Sequence, residues 1–317
     1  MARASDVDDL VRLAREGDPR AVARLISLVE DASPALRDVI AALMPFAGNA
    51  HIVCITGAPG VGKSTSTSAY VAALRARDLR VGVLAIDPSS PFSGGALLGD
   101  RIRMQEHATD TGVYIRSMAS RGHLGGLSWA APQALRVLDA AGCDVIILET
   151  VGVGQSEIEV VGVADTVVVL LAPGMGDGIQ AAKAGILEIG DVFIVNKADR
   201  EGASTTSREL RHMITLGERT AGAWVPPVLQ TVASRGEGID EAVEKIDEHY
   251  AWLKDSGTLA QRRLRRARDE VEAIAVASLR QRMGDLGGEE LLSTVAAEVA
   301  AGSLDPYAAA DRIIASV

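Results

Sequence analysis

The chain has 317 residues, with 32 Lys and Arg against 42 Asp and Glu, a formal net charge of −10. Hydrophobic residues make up 48% and charged ones 23%, enough for a full core, which excludes an intrinsically disordered chain, a collagen-like repeat or a disulfide scaffold. The acidic balance argues against a dedicated nucleic-acid binder, but not against an anionic ligand held by a local loop.

Residues 1–46 read as a helical extension. The opening MARASDVDDL has early acids and no apolar run, so neither a signal nor a transit peptide is expected. No later run approaches the roughly 18 apolar residues that span a bilayer, and a cytoplasmic protein with no membrane partner is expected. Asp18-Pro19 is a helix cap followed by proline at the first helical position, with Val22, Leu25, Ile26 and Val29 behind it at helical spacing. Ser33-Pro34 repeats the signal before Leu36, Val39, Ile40 and Leu43.

From His51 short apolar runs alternate with helical patterns. The runs are 51–56, 81–86, 113–115, 145–148, 166–171, 192–195 and 228–231. Most are continuous, which suits parallel strands covered on both faces. The alternation predicts an α/β fold, a mostly parallel sheet flanked by helices over 47–250, with ligand loops at the C-terminal strand ends. Beyond Tyr250 the strand pattern stops, and 251–317 reads as a second helical extension. Arg262, Arg263, Arg265, Arg266 and Arg268 open a long helix that carries Val271, Ile274 and Leu279. No aromatic residues interleave those arginines for base stacking, so they read as a solvated face and no nucleic-acid partner is expected. Gly287-Gly288 breaks the helix, and Asp305-Pro306 starts a last short one. Cys54 and Cys143 read as reduced core thiols. The five histidines stand at no i,i+3 or i,i+4 spacing, which points away from a transition-metal site.

The chemistry is concentrated in a few motifs. Gly57-Ala58-Pro59-Gly60-Val61-Gly62-Lys63-Ser64, followed by Thr65, fits G-x-x-x-x-G-K-[ST] between a strand and a helix. This is the phosphate loop of a P-loop NTPase. Its glycines let successive N–H groups face the β-phosphate, Lys63 brings a mobile charge to the β/γ oxygens, and Ser64 offers Mg²⁺ a hard oxygen. Asn196-Lys197-Ala198-Asp199 fits the N-K-x-D guanine signature. A carboxylate at Asp199 accepts from guanine N1–H and the 2-amino group together, and adenine offers neither. Val232 or Ala233, after the strand 228–231, is expected to offer a backbone N–H to guanine O6. Glu149-Thr150-Val151-Gly152 stands where GTPases carry D-x-x-G, with Glu149 toward Mg²⁺ and the Gly152 N–H toward the γ-phosphate. Asp87 reads as a second carboxylate on the same edge, or as an acid capping its loop. Long Gly-rich loops follow at 88–103, holding Asp100, at 116–127, and at 173–185, holding Gln180 and Lys183. Lys183 reads equally well as a plain surface lysine.

The ordered set GAPGVGKST, AIDPSS, GGALLGDRIRM, IRSMASRGHLGGL, ETVGVGQSE, GDGIQAAKAGI and NKAD resembles the MeaB/ArgK family, to which the mitochondrial methylmalonic aciduria type A protein is similar. These are GTPase chaperones of cobalamin-dependent acyl-CoA mutases, chiefly methylmalonyl-CoA mutase. The resemblance implies a GTPase that gates cobalamin loading, protects its mutase, and forms a homodimer through its terminal extensions. A cobalamin adenosyltransferase is a further expected partner. The resemblance also implies Mg²⁺ held by Ser64 and, directly or through water, by Asp87, Asp100 and Glu149. Lys63, Glu149, Gly152 and Lys183 are the implied catalytic groups. The loop with Gln180 and Lys183 corresponds to a switch coupling mutase binding to hydrolysis, and Gly178 stands there where relatives often carry an acid. The competing readings are a nickel-delivery GTPase, whose usual Cys-x-x-Cys or His-rich segments do not occur here, and a kinase linked to amino-acid transport.

Overall fold

The computed structural model describes residues 4–88, 104–120, 130–150, 162–174, 186–216, 222–283 and 289–315. The chain divides into two compact units, Met1–Leu259 and Ala260–Val317.

The first unit opens with α1 (Ala4–Arg15), α2 (Pro19–Glu30) and α3 (Leu36–Leu43). Asp18 caps α2 as expected, its carboxylate accepting the N–H of Arg20 at 2.7 Å and of Ala21 at 3.4 Å. Val22, Leu25, Ile26 and Val29 are all buried. The third helix starts later than Ser33-Pro34 suggests. The Ser33 carbonyl accepts from Leu36 N–H (2.8 Å) and its hydroxyl from Ala35 N–H (3.3 Å), a turn that delays the first helical residue.

Seven strands follow: β1 (His51–Gly57), β2 (Val81–Pro88), β3 (Val113–Ser120), β4 (Val145–Thr150), β5 (Thr166–Leu171), β6 (Val192–Asn196) and β7 (Val228–Thr231). All pairings are parallel, in the order β3-β2-β4-β1-β5-β6-β7. Between them lie α4 (Lys63–Arg75), α5 (Ala130–Ala140), α6 (Ile186–Ile189) and α7 (Ala203–Leu216), and α8 (Ile239–Asp255) closes the unit. One expected loop is partly strand. Residues 116–120 extend β3, pairing Arg116 with Leu84 and Ser120 with Pro88, because Met118 is buried on the sheet and holds the segment in register.

Alternate strand residues feed two cores, as a sheet covered on both faces requires. Cys54, Leu84, Ile146, Leu148, Val169 and Phe193 pack with α1–α3, α5 and α7. Val53, Ile55, Val83, Ile147, Val168 and Ile194 pack with α4 and α8. Both cysteines are buried thiols outside any disulfide, and burial pushes the Cys143 thiol up to about 12.

Two buried polar knots fix this frame. Asp139 on α5 accepts the backbone N–H groups of Gly48, Asn49 (3.1 Å) and Ala50 (2.9 Å), orienting the chain as it enters β1. Asp139→Ala removes the shared acceptor and is expected to cost about 2 kcal/mol, seen as a lower urea midpoint with an unchanged slope. At the N-terminal sheet edge, the Thr166 hydroxyl sits 2.8 Å from His51 Nε2 and 2.9 Å from His249 Nδ1. His249 Nε2 lies 3.3 Å from Asp191 Oδ1. One hydroxyl carries one proton, so Thr166 donates to one imidazole and accepts from the other, which couples the two histidine tautomers.

The second unit carries most of α9 (Thr258–Met283), then α10 (Glu289–Ala300) and α11 (Pro306–Ile314). Val295, Ala309 and Ile313 form its small core, and Asp305 caps α11 as its Asp-Pro pair predicts. Among the described residues no helix is long and apolar enough to cross a membrane.

Candidate nucleotide site

Because every strand is parallel, the C-terminal ends of β1, β2, β4, β6 and β7 share one sheet edge. The chain runs from β1 outward on one side and, from β5, on the other, so β1 is the central strand beside the crossover point where open α/β sheets bind ligands.

The loop after β1 is shaped by glycine. Gly57 has φ +145°, and a Cβ there would meet the Leu170 carbonyl oxygen at 2.3 Å. Gly62, at φ +97°, caps α4, and a Cβ there would meet Asn196 Nδ2 at 2.4 Å. Gly60, at φ +81°, faces open space. The result is a concave turn ending at a helix N-terminus, the arrangement that receives phosphate. The Lys63 ammonium donates to the Gly57 (2.7 Å) and Ala58 (3.2 Å) carbonyls across the loop. Thr65 lies exposed on the first turn of α4, and Pro59 on the outer side of the loop.

Ser64 and Glu149 come together although β4 lies far along the chain. The Ser64 hydroxyl donates to Glu149 Oε1 at 2.8 Å, and Glu149 is only 3% exposed. The register explains this: Ile55 of β1 pairs with Glu149, which places the carboxylate beside the start of α4. Two hard oxygens at a phosphate loop fit Mg²⁺, which takes few protein ligands. Asp87 falls in the last turn of pairing of β2, opposite Ala119. Asp100, Gly152 and Lys183 lie outside the described residues.

The base-side loop is tied to the phosphate loop by one side chain. Asn196 Nδ2 donates to the Val61 carbonyl (2.9 Å), while its Oδ1 accepts from Thr231 Oγ1 (3.1 Å) and Ala233 N–H (3.1 Å). Lys197, at φ +57°, donates to the Gly60 carbonyl at 2.6 Å. Asp199 is exposed beyond this turn. The two residues expected at guanine O6 lie on the turn after β7, where Val232 N–H donates to the Glu237 carbonyl (3.0 Å) and Ala233 N–H to Asn196 Oδ1 (3.1 Å). That turn is tight and folds back on itself at Gly236 and Gly238. Sequence reasoning missed the Asn196 link to Val61 and the contact of Arg235 with Asp199, since no local pattern marks either.

A glycine-cradled loop, an acidic strand end beside it and an N-K-x-D turn across the same edge define a P-loop GTPase. Comparison with known proteins narrows the class. The family described as "Methylmalonyl Co-A mutase-associated GTPase MeaB" matches residues 22–286, and the chain belongs to that family. A Pyrococcus horikoshii protein whose own GTPase name is provisional is 49% identical over 315 residues, covering 98% of each chain. The GTPase ArgK of Escherichia coli is 38% identical over 269 residues, 82% of this chain and 81% of its own. A crystal structure of an LAO/AO transport system kinase shares the fold with a TM-score of 0.75 and 27% identity, over 99% of this chain and 98% of that one. Family membership carries nucleotide binding with it.

Proposed function

We propose that this chain is a GTP-hydrolysing chaperone that gates cobalamin loading onto a cobalamin-dependent acyl-CoA mutase, of the methylmalonyl-CoA mutase kind, and protects that enzyme. The observation that carries this is the family match over 22–286, whose description names the mutase association. A mouse relative described as a mitochondrial methylmalonic aciduria type A homolog, 39% identical over 214 residues, 67% of this chain and 52% of its own, supports the same reading. The protein acts in the cytoplasm. A cobalamin adenosyltransferase, as the donor of loaded cofactor, is a further partner.

In this mechanism the phosphate loop 57–64 wraps the β-phosphate, and Lys63 moves from the Gly57 and Ala58 carbonyls onto the β/γ oxygens. Mg²⁺, when bound, neutralises charge that develops on those oxygens. Ser64 would hold it, with Glu149, Asp87 and Asp100 as the further oxygen donors. Asp199 reads guanine N1–H and the 2-amino group. Guanine O6 is assigned to the backbone N–H of Val232 or Ala233, on the turn after β7. Gly152 senses the γ-phosphate, and Lys183 relays partner binding. Ser64→Ala is expected to slow hydrolysis about 10- to 100-fold while leaving GDP affinity within a few-fold, because the γ-phosphate depends most on the metal. Equal losses in both would reassign Ser64 to general nucleotide binding.

Leu264, Val271, Ile274 and Leu279 are exposed along α9. Such a stripe on one helix supports the homodimer, because an apolar face of this length is stabilised by covering it. The reading is tested by measuring GTP turnover with and without a cobalamin-dependent mutase. Stimulation of wild-type turnover by the mutase supports it. Failure of the GTP-analogue-loaded protein to bind the mutase, together with no stimulation of GTP turnover, refutes it. The transport-kinase reading, prompted by the solved neighbour, requires phosphate on an acceptor in place of free phosphate, and the same assay reads both products.

A further inference from the structure

Asp199 is a carboxylate on an exposed turn, and a reader of two adjacent donors works only if its plane is fixed. Its backbone is held on both sides, by Ala198 N–H to the Thr231 carbonyl and by Arg200 N–H to the Lys197 carbonyl, each at 3.0 Å. The side chain has one contact among the described residues. Arg235 Nη2 donates to Asp199 Oδ2 at 3.4 Å, and Asp199 Oδ1 is left open. Arg235 is not loosely placed at its root. Its N–H donates to the Val232 carbonyl at 2.9 Å, Gly236 N–H follows to Ala233 at 3.2 Å, and Val232 closes the turn onto Glu237. The guanidinium's other edge faces Glu237, with Nη1 3.7 Å from Oε1. The fork therefore stands between two carboxylates on a turn that the β-sheet holds in place.

We propose that Arg235 is a positioning residue for guanine recognition, holding the Asp199 carboxylate by one oxygen so that both oxygens present to the base edge. This rests on the reading of Asp199 as the guanine reader. An oxygen carries two acceptor directions, so Oδ2 keeps one for the base while Arg235 takes the other, and Oδ1 stays fully available. The pair is exposed, and such pairs contribute little to stability. Its consequence is orientation. A carboxylate free to rotate still meets one donor well but seldom two at once, so the loss falls on bases that offer both.

Hypoxanthine separates these cases, since it keeps N1–H and lacks the 2-amino group. The experiment measures GDP and IDP affinities for wild type, Arg235→Met and Arg235→Lys, with thermal unfolding as a check on the fold. The expected result is a wild type that favours GDP over IDP, a ratio that falls about two- to fivefold in Arg235→Met, and its substantial recovery in Arg235→Lys. An unchanged ratio in Arg235→Met overturns the role of Arg235 while leaving Asp199 as the reader. Equal weakening of GDP and IDP also overturns it, because that marks a charge effect on the phosphates. Tighter GDP binding in Arg235→Met overturns it too, by making Arg235 a competitor for the carboxylate. A wild type indifferent to the 2-amino group removes the Asp199 reading itself, and this inference with it.

Discussion

Gly62→Ala is expected to lower folding stability by about 3 kcal/mol and to weaken guanine-nucleotide binding about 100-fold or more. Two costs add. At φ +97° an alanine is strained by roughly 1–2 kcal/mol. Its methyl would also meet Asn196 Nδ2 at 2.4 Å, so the carboxamide must leave the Val61 carbonyl, and the Thr231 and Ala233 contacts go with it. Gly60→Ala is the control. Its φ is also positive, at +81°, but nothing lies within 4 Å of the new methyl, so backbone strain of about 1 kcal/mol is the whole cost. Chemical unfolding of the two variants measures the difference. If both lose the same stability, the Asn196 link is not what Gly62 protects.

Asp199→Asn is expected to weaken GTP by about 2–4 kcal/mol and to improve xanthosine triphosphate. The substitution replaces one acceptor oxygen by a donor. Guanine then sets its 2-amino group against an amide N–H₂, whereas xanthine offers a 2-oxo acceptor there and keeps N1–H for the amide oxygen. Competition binding with GTP, ATP and xanthosine triphosphate reads the exchange. A wild type that binds ATP as tightly as GTP would sink the assignment before the variant is made.

Much of the frame was legible because its causes are local. The strand runs 166–171 and 228–231 coincide with β5 and β7, since a continuous apolar run between turn residues has few other fates in an alternating α/β chain. Asp18-Pro19 and Asp305-Pro306 mark true helix starts for the same reason: cap and proline act within one turn. The phosphate loop was equally plain. The remainder depends on register. Nothing near Glu149 in the sequence says that it meets Ser64, because the meeting is made by β1 lying beside β4. The extension of β3 through Ser120 was hidden by a polar, Gly-rich segment whose pairing with β2 no local pattern marks. The bonds of Val232 N–H to Glu237 and of Ala233 N–H to Asn196 were equally hidden, since no local pattern marks either partner. The histidines at 51 and 249 gave no signal at all, being joined through a threonine on a third element.

The Asn196 carboxamide is expected to make the phosphate loop and the turn after β7 a single cooperative unit in hydrogen exchange. The Val61 carbonyl belongs to the phosphate loop, and Thr231 and Ala233 belong to the turn after β7, so opening one loop breaks the other's tie. Amides that open together exchange with one free energy, and a ligand that binds the closed form protects all of them by the same amount. Inorganic pyrophosphate, which touches no base-reading group, should therefore slow exchange at Ala198 and Ala233 as well as along 58–64. Guanosine without phosphates should slow exchange along 58–64 in return. Neither half-ligand needs to move the chain for its influence to arrive at the far loop.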